Sequence, residues 1–230
     1  MTDAVPVTTI APPQEATERI LRAAGILPIL SVDSIDSALR VADALQRGGL
    51  TCIELTLRTP VAIDAIAALK REFATLVIGA GTVLRGEQVE AAQQAGADFL
   101  VTPGTSSALL KALAQAAVPV LPGAATPSEL LTIIEHGYRV AKFFPAAALG
   151  GPAMLKALAG PFPDFVFCPT GGINERDAAT YLALGNVACI GGSWMVSAEW
   201  LRDGDYAAVE RSASAARTLV SQREAMRLRT

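Results

Sequence analysis

Short apolar runs recur along this chain, separated by segments whose apolar residues follow a helical period. The runs cover residues 25–30, 51–56, 76–81, 98–102, 118–122, 139–144, 165–169 and 187–191. They are rich in Val, Ile and Leu and mostly lack the strict alternation of a half-exposed strand. Strands of a parallel sheet, buried on both faces, read this way. Between them, Ile35, Leu39, Ala42 and Leu45 form one helical stripe, and Ile63, Ile66, Ala67 and Leu69 another. Ala108, Leu109 and Leu113 mark a third, and Leu130, Ile133 and Ile134 a fourth. Helix starts are signalled at Asp33 or Ser34, Thr59-Pro60, Ser106, Thr126-Pro127 and Asn174, and stops at Gly48-Gly49, Gly96, Gly137 and Gly185. Strand and helix alternating eight times predicts a single-domain α/β fold, the (β/α)8 TIM barrel. An extra N-terminal helix is expected at 15–24 and a C-terminal helix at 206–229. Residues 1–13 read as a flexible extension and 14–230 as one barrel domain.

At 230 residues the chain can bury one sizeable core. Hydrophobic residues make up 51% but aromatics only 5%, so aliphatic side chains do most of the packing. The net charge of −3 argues against a nucleic-acid partner, which requires a basic surface. Cys52, Cys168 and Cys189 each fall inside an expected strand; an odd set without zinc spacing reads as buried thiols of a reducing compartment. Residues 1–13 have no secretory pattern, and no run of apolar residues is long enough to span a bilayer. A cytoplasmic protein without a membrane partner is expected.

Against this background two charges stand out. The chain has four lysines, and Lys70, Lys111 and Lys156 sit on expected helix surfaces. Lys142 instead interrupts the apolar run Val140-Ala141-Lys142-Phe143-Phe144. A buried ammonium is costly unless paired or neutral, and a neutral amine is a nucleophile toward carbonyl carbon. The alternative is a lysine that snorkels to solvent from a strand end. Glu54 lies between Ile53 and Leu55 in the second run. It is either an ion-pair partner of Arg58 or Lys142 or a general acid/base, and the two roles are compatible. Arg58, just beyond the same run, has the fork geometry that suits a carboxylate.

In a parallel barrel, ligands sit at the C-terminal ends of the strands. Two glycine pairs fall there: Thr170-Gly171-Gly172-Ile173 after the seventh run, and Gly191-Gly192-Ser193 after the eighth. Glycines let backbone amides approach an anion, and the loops after the last two strands are the usual phosphate cradle of this fold. The other reading is a pair of tight strand-to-helix turns. His136, the lone histidine, falls at a helix C-terminus, where it complements the helix dipole. With so few metal-ligating residues at the strand ends, no metal site is expected.

Six motifs in order complete the pattern: Ile53-Glu54-Leu55-Thr56-Leu57-Arg58-Thr59, Gly79-Ala80-Gly81-Thr82-Val83, Thr102-Pro103-Gly104, Lys142-Phe143-Phe144-Pro145-Ala146, Cys168-Pro169-Thr170-Gly171-Gly172-Ile173 and Ile190-Gly191-Gly192-Ser193-Trp194. Together they resemble the 2-keto-3-deoxy-6-phosphogluconate (KDPG) aldolase / 4-hydroxy-2-oxoglutarate (KHG) aldolase family, from about Gly25 to Trp194. The resemblance implies a homotrimeric, metal-free, cofactor-free class I aldolase of the Entner–Doudoroff pathway. It would cleave KDPG to pyruvate and glyceraldehyde 3-phosphate, and also KHG to pyruvate and glyoxylate. By position, Lys142 corresponds to the Schiff-base lysine and Glu54 to the general acid/base. Arg58, Thr82, Pro103, Phe144 and Thr170 correspond to the pyruvate pocket, and Gly171, Gly172, Gly191, Gly192 and Ser193 to the phosphate end. A sister family acting on the galactonate epimer typically lacks the Cys-Pro-Thr and Gly-Gly-Ser-Trp segments that are intact here. Two rival readings fit the residues alone: a phosphosugar isomerase with Glu54 as base, and a non-catalytic sugar-phosphate sensor.

Overall fold

The computed structural model describes residues 12–227. In chain order the elements are α1 (Pro12–Ala24), β1 (Ile26–Leu30), α2 (Ile35–Arg47), β2 (Cys52–Thr56), α3 (Ala62–Glu72), β3 (Val77–Gly81), α4 (Gly86–Gln94), β4 (Phe99–Val101), α5 (Ser107–Leu113), β5 (Val120–Leu121), β6 (Gly123–Ala124) and α6 (Pro127–Glu135). Then come β7 (Val140–Phe143), α7 (Gly151–Ala159), β8 (Val166–Pro169), α8 (Glu175–Leu182), β9 (Ile190–Gly192), α9 (Ala198–Asp203) and α10 (Tyr206–Arg227), with short 3-10 helices at Ala147–Leu149 and Trp194–Val196. The expected extension at 1–13 lies outside the described residues, apart from Pro12 and Pro13, which open α1. All strand pairs are parallel, in a six-stranded sheet ordered β5-β4-β3-β2-β1-β9 and a three-stranded sheet ordered β6-β7-β8. Isolated parallel bridges, Phe167 to Val187 and Thr170 to Gly191, link the second sheet to the β9 segment of the first.

The expected fifth strand is divided. Pro122 separates β5 from β6, and the two halves belong to different sheets. Proline has no N–H, so it cannot donate to a ladder. Its carbonyl still accepts from the Lys142 amide at 2.8 Å. The next amide, Gly123 N–H, donates to the Thr102 hydroxyl at 2.9 Å. The strand thus changes partner from β4 to β7 at the proline. The last expected strand begins later than its apolar run predicts, at Ile190. The carbonyls of Val187 and Ala188 instead accept from the Arg223 guanidinium on α10.

Helix signals largely hold. Ser34, Ser106, Thr126 and Asn174 cap α2, α5, α6 and α8, each accepting from an amide of the first turn. Thr59-Pro60 does not: α3 starts at Ala62 without a side-chain cap, and the Thr59 hydroxyl donates to the Val32 carbonyl at 2.7 Å. The C-terminal helix does not wander over the surface. A Cβ on Gly48 of the α2 cap would overlap Ala213 of α10, and one on Gly25 would overlap Val220.

Both faces of the strands are buried, and alternation sorts their side chains into two cores. Ile53, Leu55, Leu100, Ala141, Phe143 and Phe167 point outward into the layer packed by the helices. Leu27, Cys52, Phe99, Val101, Leu121, Val140 and Cys168 point the other way and form one inner cluster fed by both sheets. Helix α1 covers the N-terminal end of that cluster with Leu21 and Ala24. Its buried polar groups serve the strand starts: Gln14 and Thr17 donate to the Val120 carbonyl at 3.3 and 3.1 Å, and Gln14 accepts from the Arg139 amide. The three cysteines are buried and unbridged, as expected. Burial pushes the Cys52 and Cys189 thiols up, so neither supplies a thiolate at neutral pH.

Inner packing leaves no spare volume at β3. A Cβ on Gly79 would overlap the Phe99 ring. Gly79→Ala should therefore destabilise the fold by about 1–3 kcal/mol through overpacking. Phe99→Leu in that background should recover part of the loss, a coupling read by urea denaturation of the two single variants and the double variant. Strictly additive changes would contradict the packing described.

Candidate active site

The inner face dictates the site. On β2, Cys52 belongs to the inner cluster, so Glu54, two residues on, points the same way. On β7, Val140 and Lys142 are related identically. The two strands are not neighbours in either sheet, so the side chains meet across the interior. Lys142 Nζ donates to Glu54 Oε1 at 3.0 Å, with Glu54 1% and Lys142 5% exposed. Arg58, the other candidate partner of Glu54, makes no ion pair among the described residues. Lys142 does not snorkel. Removing one member of such a buried pair strands an uncompensated charge, typically at a cost of about 3–5 kcal/mol.

The pair is only partly satisfied. Glu54 Oε2 is buried and has no hydrogen-bond partner among the described residues. A buried carboxylate oxygen with a free lone pair is costly in a finished core and useful as a proton acceptor. Gly81, at the end of β3, makes room for it: a Cβ there would overlap Glu54 Oε1. Thr82 follows with φ +57°, the one non-glycine residue in the left-handed region among those described. A β-branched residue in that conformation is strained, and such strain clusters at functional sites. Pro103 lies against Gly123, where a Cβ would overlap its backbone; Gly123 is in register with Lys142.

Beyond the pair, at the C-terminal ends of the strands, opens a cavity of about 400 Å³. Eight of the sequence candidates line it: Arg58, Phe144, Thr170, Gly171, Gly172, Gly191, Gly192 and Ser193. Lys142, Glu54, Thr82 and Pro103 do not line it. Phe144 connects the two: Lys142 Nζ lies 5.6 Å from its ring centroid, and Phe144 also lines the cavity. The glycine loops are shaped by close approach. Gly171 and Gly172 have φ of +100° and +75°, and a Cβ on Gly172 would lie 2.7 Å from that of Ala147. The amides of Gly172 and Ser193 have no backbone acceptor in the loops among the described residues. Free amides flanked by two glycine pairs have the geometry to hold an anion. The N-terminus of α8 is not part of it, because Asn174 caps it and Glu175 and Asp177 fill its first turn.

Two hydroxyls in the wall were not anticipated, Ser31 and Ser197. Ser31 directly follows β1, whose apolar C-terminal end carries no charge or glycine to mark it. Ser197 caps α9, accepting from the Glu199 amide at 3.2 Å. His136 lies outside the site; its Nδ1 is 2.9 Å from the Thr132 carbonyl at the end of α6. Among the described residues no three His, Cys, Asp or Glu side chains gather as a metal-ligand set.

The chain matches the aldolase family described as KDPG and KHG aldolase over residues 17–212. It is 49% identical over 194 residues to the 2-dehydro-3-deoxy-phosphogluconate aldolase of Pseudomonas aeruginosa, covering 84% of this chain and 88% of that protein. It is 44% identical to the KHG/KDPG aldolase of Escherichia coli K12, covering 83% and 90%. Among solved structures, the KDPG aldolase of Legionella pneumophila, with pyruvate captured at low pH as a covalent carbinolamine intermediate, superposes with a TM-score of 0.85 at 41% identity, covering 89% of this chain and 98% of that one.

The space at Gly81 carries a prediction. Gly81→Ala should push the Glu54 carboxylate off Lys142 and lower kcat by about 100-fold, the scale of an ångström-sized misplacement of a catalytic group. Thermal melting beside steady-state kinetics checks it; a stable variant with normal kcat would contradict the placement of Glu54.

Proposed function

We propose that this chain, which belongs to the KDPG and KHG aldolase family, performs its aldol cleavage through Lys142 as imine-forming nucleophile and Glu54 as proton carrier. The enzyme is a class I carbon–carbon lyase that splits KDPG into pyruvate and glyceraldehyde 3-phosphate, and KHG into pyruvate and glyoxylate. The observation that carries the assignment of roles is the buried 3.0 Å contact between Lys142 Nζ and Glu54 Oε1.

In its neutral form Lys142 adds to the C2 ketone. The resulting carbinolamine loses its hydroxyl as water, with Glu54 delivering the proton, and leaves a cationic iminium. Glu54 then takes the C4 hydroxyl proton. The C4 carbonyl forms as the C3–C4 bond breaks, and the bonding pair flows into the iminium to give the enamine of pyruvate. Protonation at C3 and addition of water return pyruvate and the free amine. One carboxylate serves each proton transfer because it stays within hydrogen-bond reach of the same nitrogen, and such catalysis contributes about 10²–10⁴-fold.

The cavity orients this chemistry. Arg58 holds the substrate carboxylate, free to do so because no protein carboxylate occupies it. Thr82, Pro103, Phe144 and Thr170 confine the pyruvate half. Gly171, Gly172, Gly191, Gly192 and Ser193 hold the phosphate. Binding energy from that distant phosphate fixes C2 near Lys142, where it lowers the barrier and does not merely tighten binding. The two sheets belong to one closed (β/α)8 barrel, a reading supported by the inner cluster they share and by the bridges from β8 to the β9 segment. One domain over 14–230, assembly as a homotrimer, a cytoplasmic location, and activity without metal or cofactor complete the proposal; family membership supports them.

Pyruvate with borohydride should yield a reduced adduct that maps by mass to Lys142, and Lys142→Ala should give neither adduct nor turnover. Glu54→Gln should retain trapping while kcat falls by about 10²–10⁴-fold. An adduct on another lysine, or none, would sink the assignment. An isomerase of the same fold needs no covalent imine, and a sensor would release no pyruvate to lactate dehydrogenase.

A further inference from the structure

We propose that Ser31 is a specificity-determining residue that hydrogen-bonds the phosphorylated end of the substrate, at the phosphate ester or the adjacent C5 hydroxyl. The inference rests on the aldolase reading of the site and extends it to a residue outside the six motifs. Alternation on β1 places Leu27 and Ile29 on one face, and Ser31, the first residue after the strand, continues the same two-residue spacing. Leu27 belongs to the inner cluster and Ile29 packs against it, so Ser31 is the first position on that face to leave the core. It is polar where those beneath it are apolar, and it lines the cavity.

Its neighbours define what it meets. Strand β1 pairs with β9, Pro28 in register with Gly192, and β9 leads directly into Ser193. On the other side β1 pairs with β2, Leu30 in register with Leu55, and β2 leads to Arg58. Ser31 therefore stands between the glycine cradle and the arginine, at the outer end of the cavity. Four hydroxyls line the space. Thr170 donates to the Cys168 carbonyl and Ser197 caps α9. The side-chain hydroxyls of Ser31 and Ser193 have no hydrogen-bond partner among the described residues, although the Ser193 carbonyl accepts from the Val196 amide, so both hydroxyls are free for a ligand.

The two substrates of this family differ at that end. KDPG continues past C4 to a C5 hydroxyl and a phosphate ester, whereas KHG stops at a C5 carboxylate. A hydroxyl serving the outer end discriminates between them; one serving the shared C1 carboxylate beside Arg58 does not.

The test is the ratio of kcat/KM for KDPG to that for KHG. Ser31→Ala should lower the ratio about tenfold, mainly through a higher KM for KDPG, the scale expected when one hydrogen bond to a charged group is lost. Ser31→Thr should restore most of it. Borohydride trapping with pyruvate, run on the same preparations, separates two kinds of failure. A wild-type protein that forms no adduct overturns the aldolase reading and this proposal with it. A variant that traps normally with an unchanged ratio, or with equal losses for both substrates, overturns the role of Ser31 alone.

Discussion

The ion pair between Lys142 and Glu54 is the constraint to which the rest of the site answers. Two charges at 5% and 1% exposure have lost most of their hydration. Their mutual attraction offsets that loss only while the geometry is held closely. The inner cluster below them supplies the rigidity: Cys52 and Val140 fix the strand faces from which Glu54 and Lys142 project. A carboxylate with one oxygen bonded and the other left without a partner is a poor way to stabilise a core. It is a good way to hold a proton acceptor beside an amine.

The backbone around the pair is built to leave room. Gly79 yields to Phe99 and Gly81 to Glu54, so β3 contributes backbone where its neighbours contribute side chains. Gly123 yields to the Pro103 loop, and Pro122 lets the chain change partner between two strands while its carbonyl still binds the Lys142 amide. The strained turn at Thr82 sits directly after Gly81. These features share one consequence: a buried ion pair sits in an interior otherwise lined by apolar side chains.

Much of this was legible in the sequence because a charge in an apolar run has few explanations. Lys142 and Glu54 declared themselves that way, and the glycine pairs did so by falling at two successive strand ends. Which partner Glu54 takes was not legible. Arg58 is four residues away and Lys142 is 88 residues away, and only the tertiary fold chooses. The division of the fifth strand at Pro122 was hidden because an apolar run does not say which sheet each half joins. The Thr59-Pro60 signal misled because its hydroxyl is spent on the Val32 carbonyl. Ser31 went unread because a single serine after an apolar strand has no pattern to set it apart.

The central claim is that one buried carboxylate moves the protons while its lysine partner holds the carbon skeleton. Exchange of the pyruvate methyl protons in D2O, followed by proton NMR, tests it most directly, since the exchange requires the enamine and a group to protonate its C3. The wild-type protein should exchange these protons readily. Glu54→Gln should slow exchange by about 100-fold while pyruvate is still reductively trapped on Lys142. Exchange at the wild-type rate in that variant would contradict the account, because some other group would then be carrying the proton.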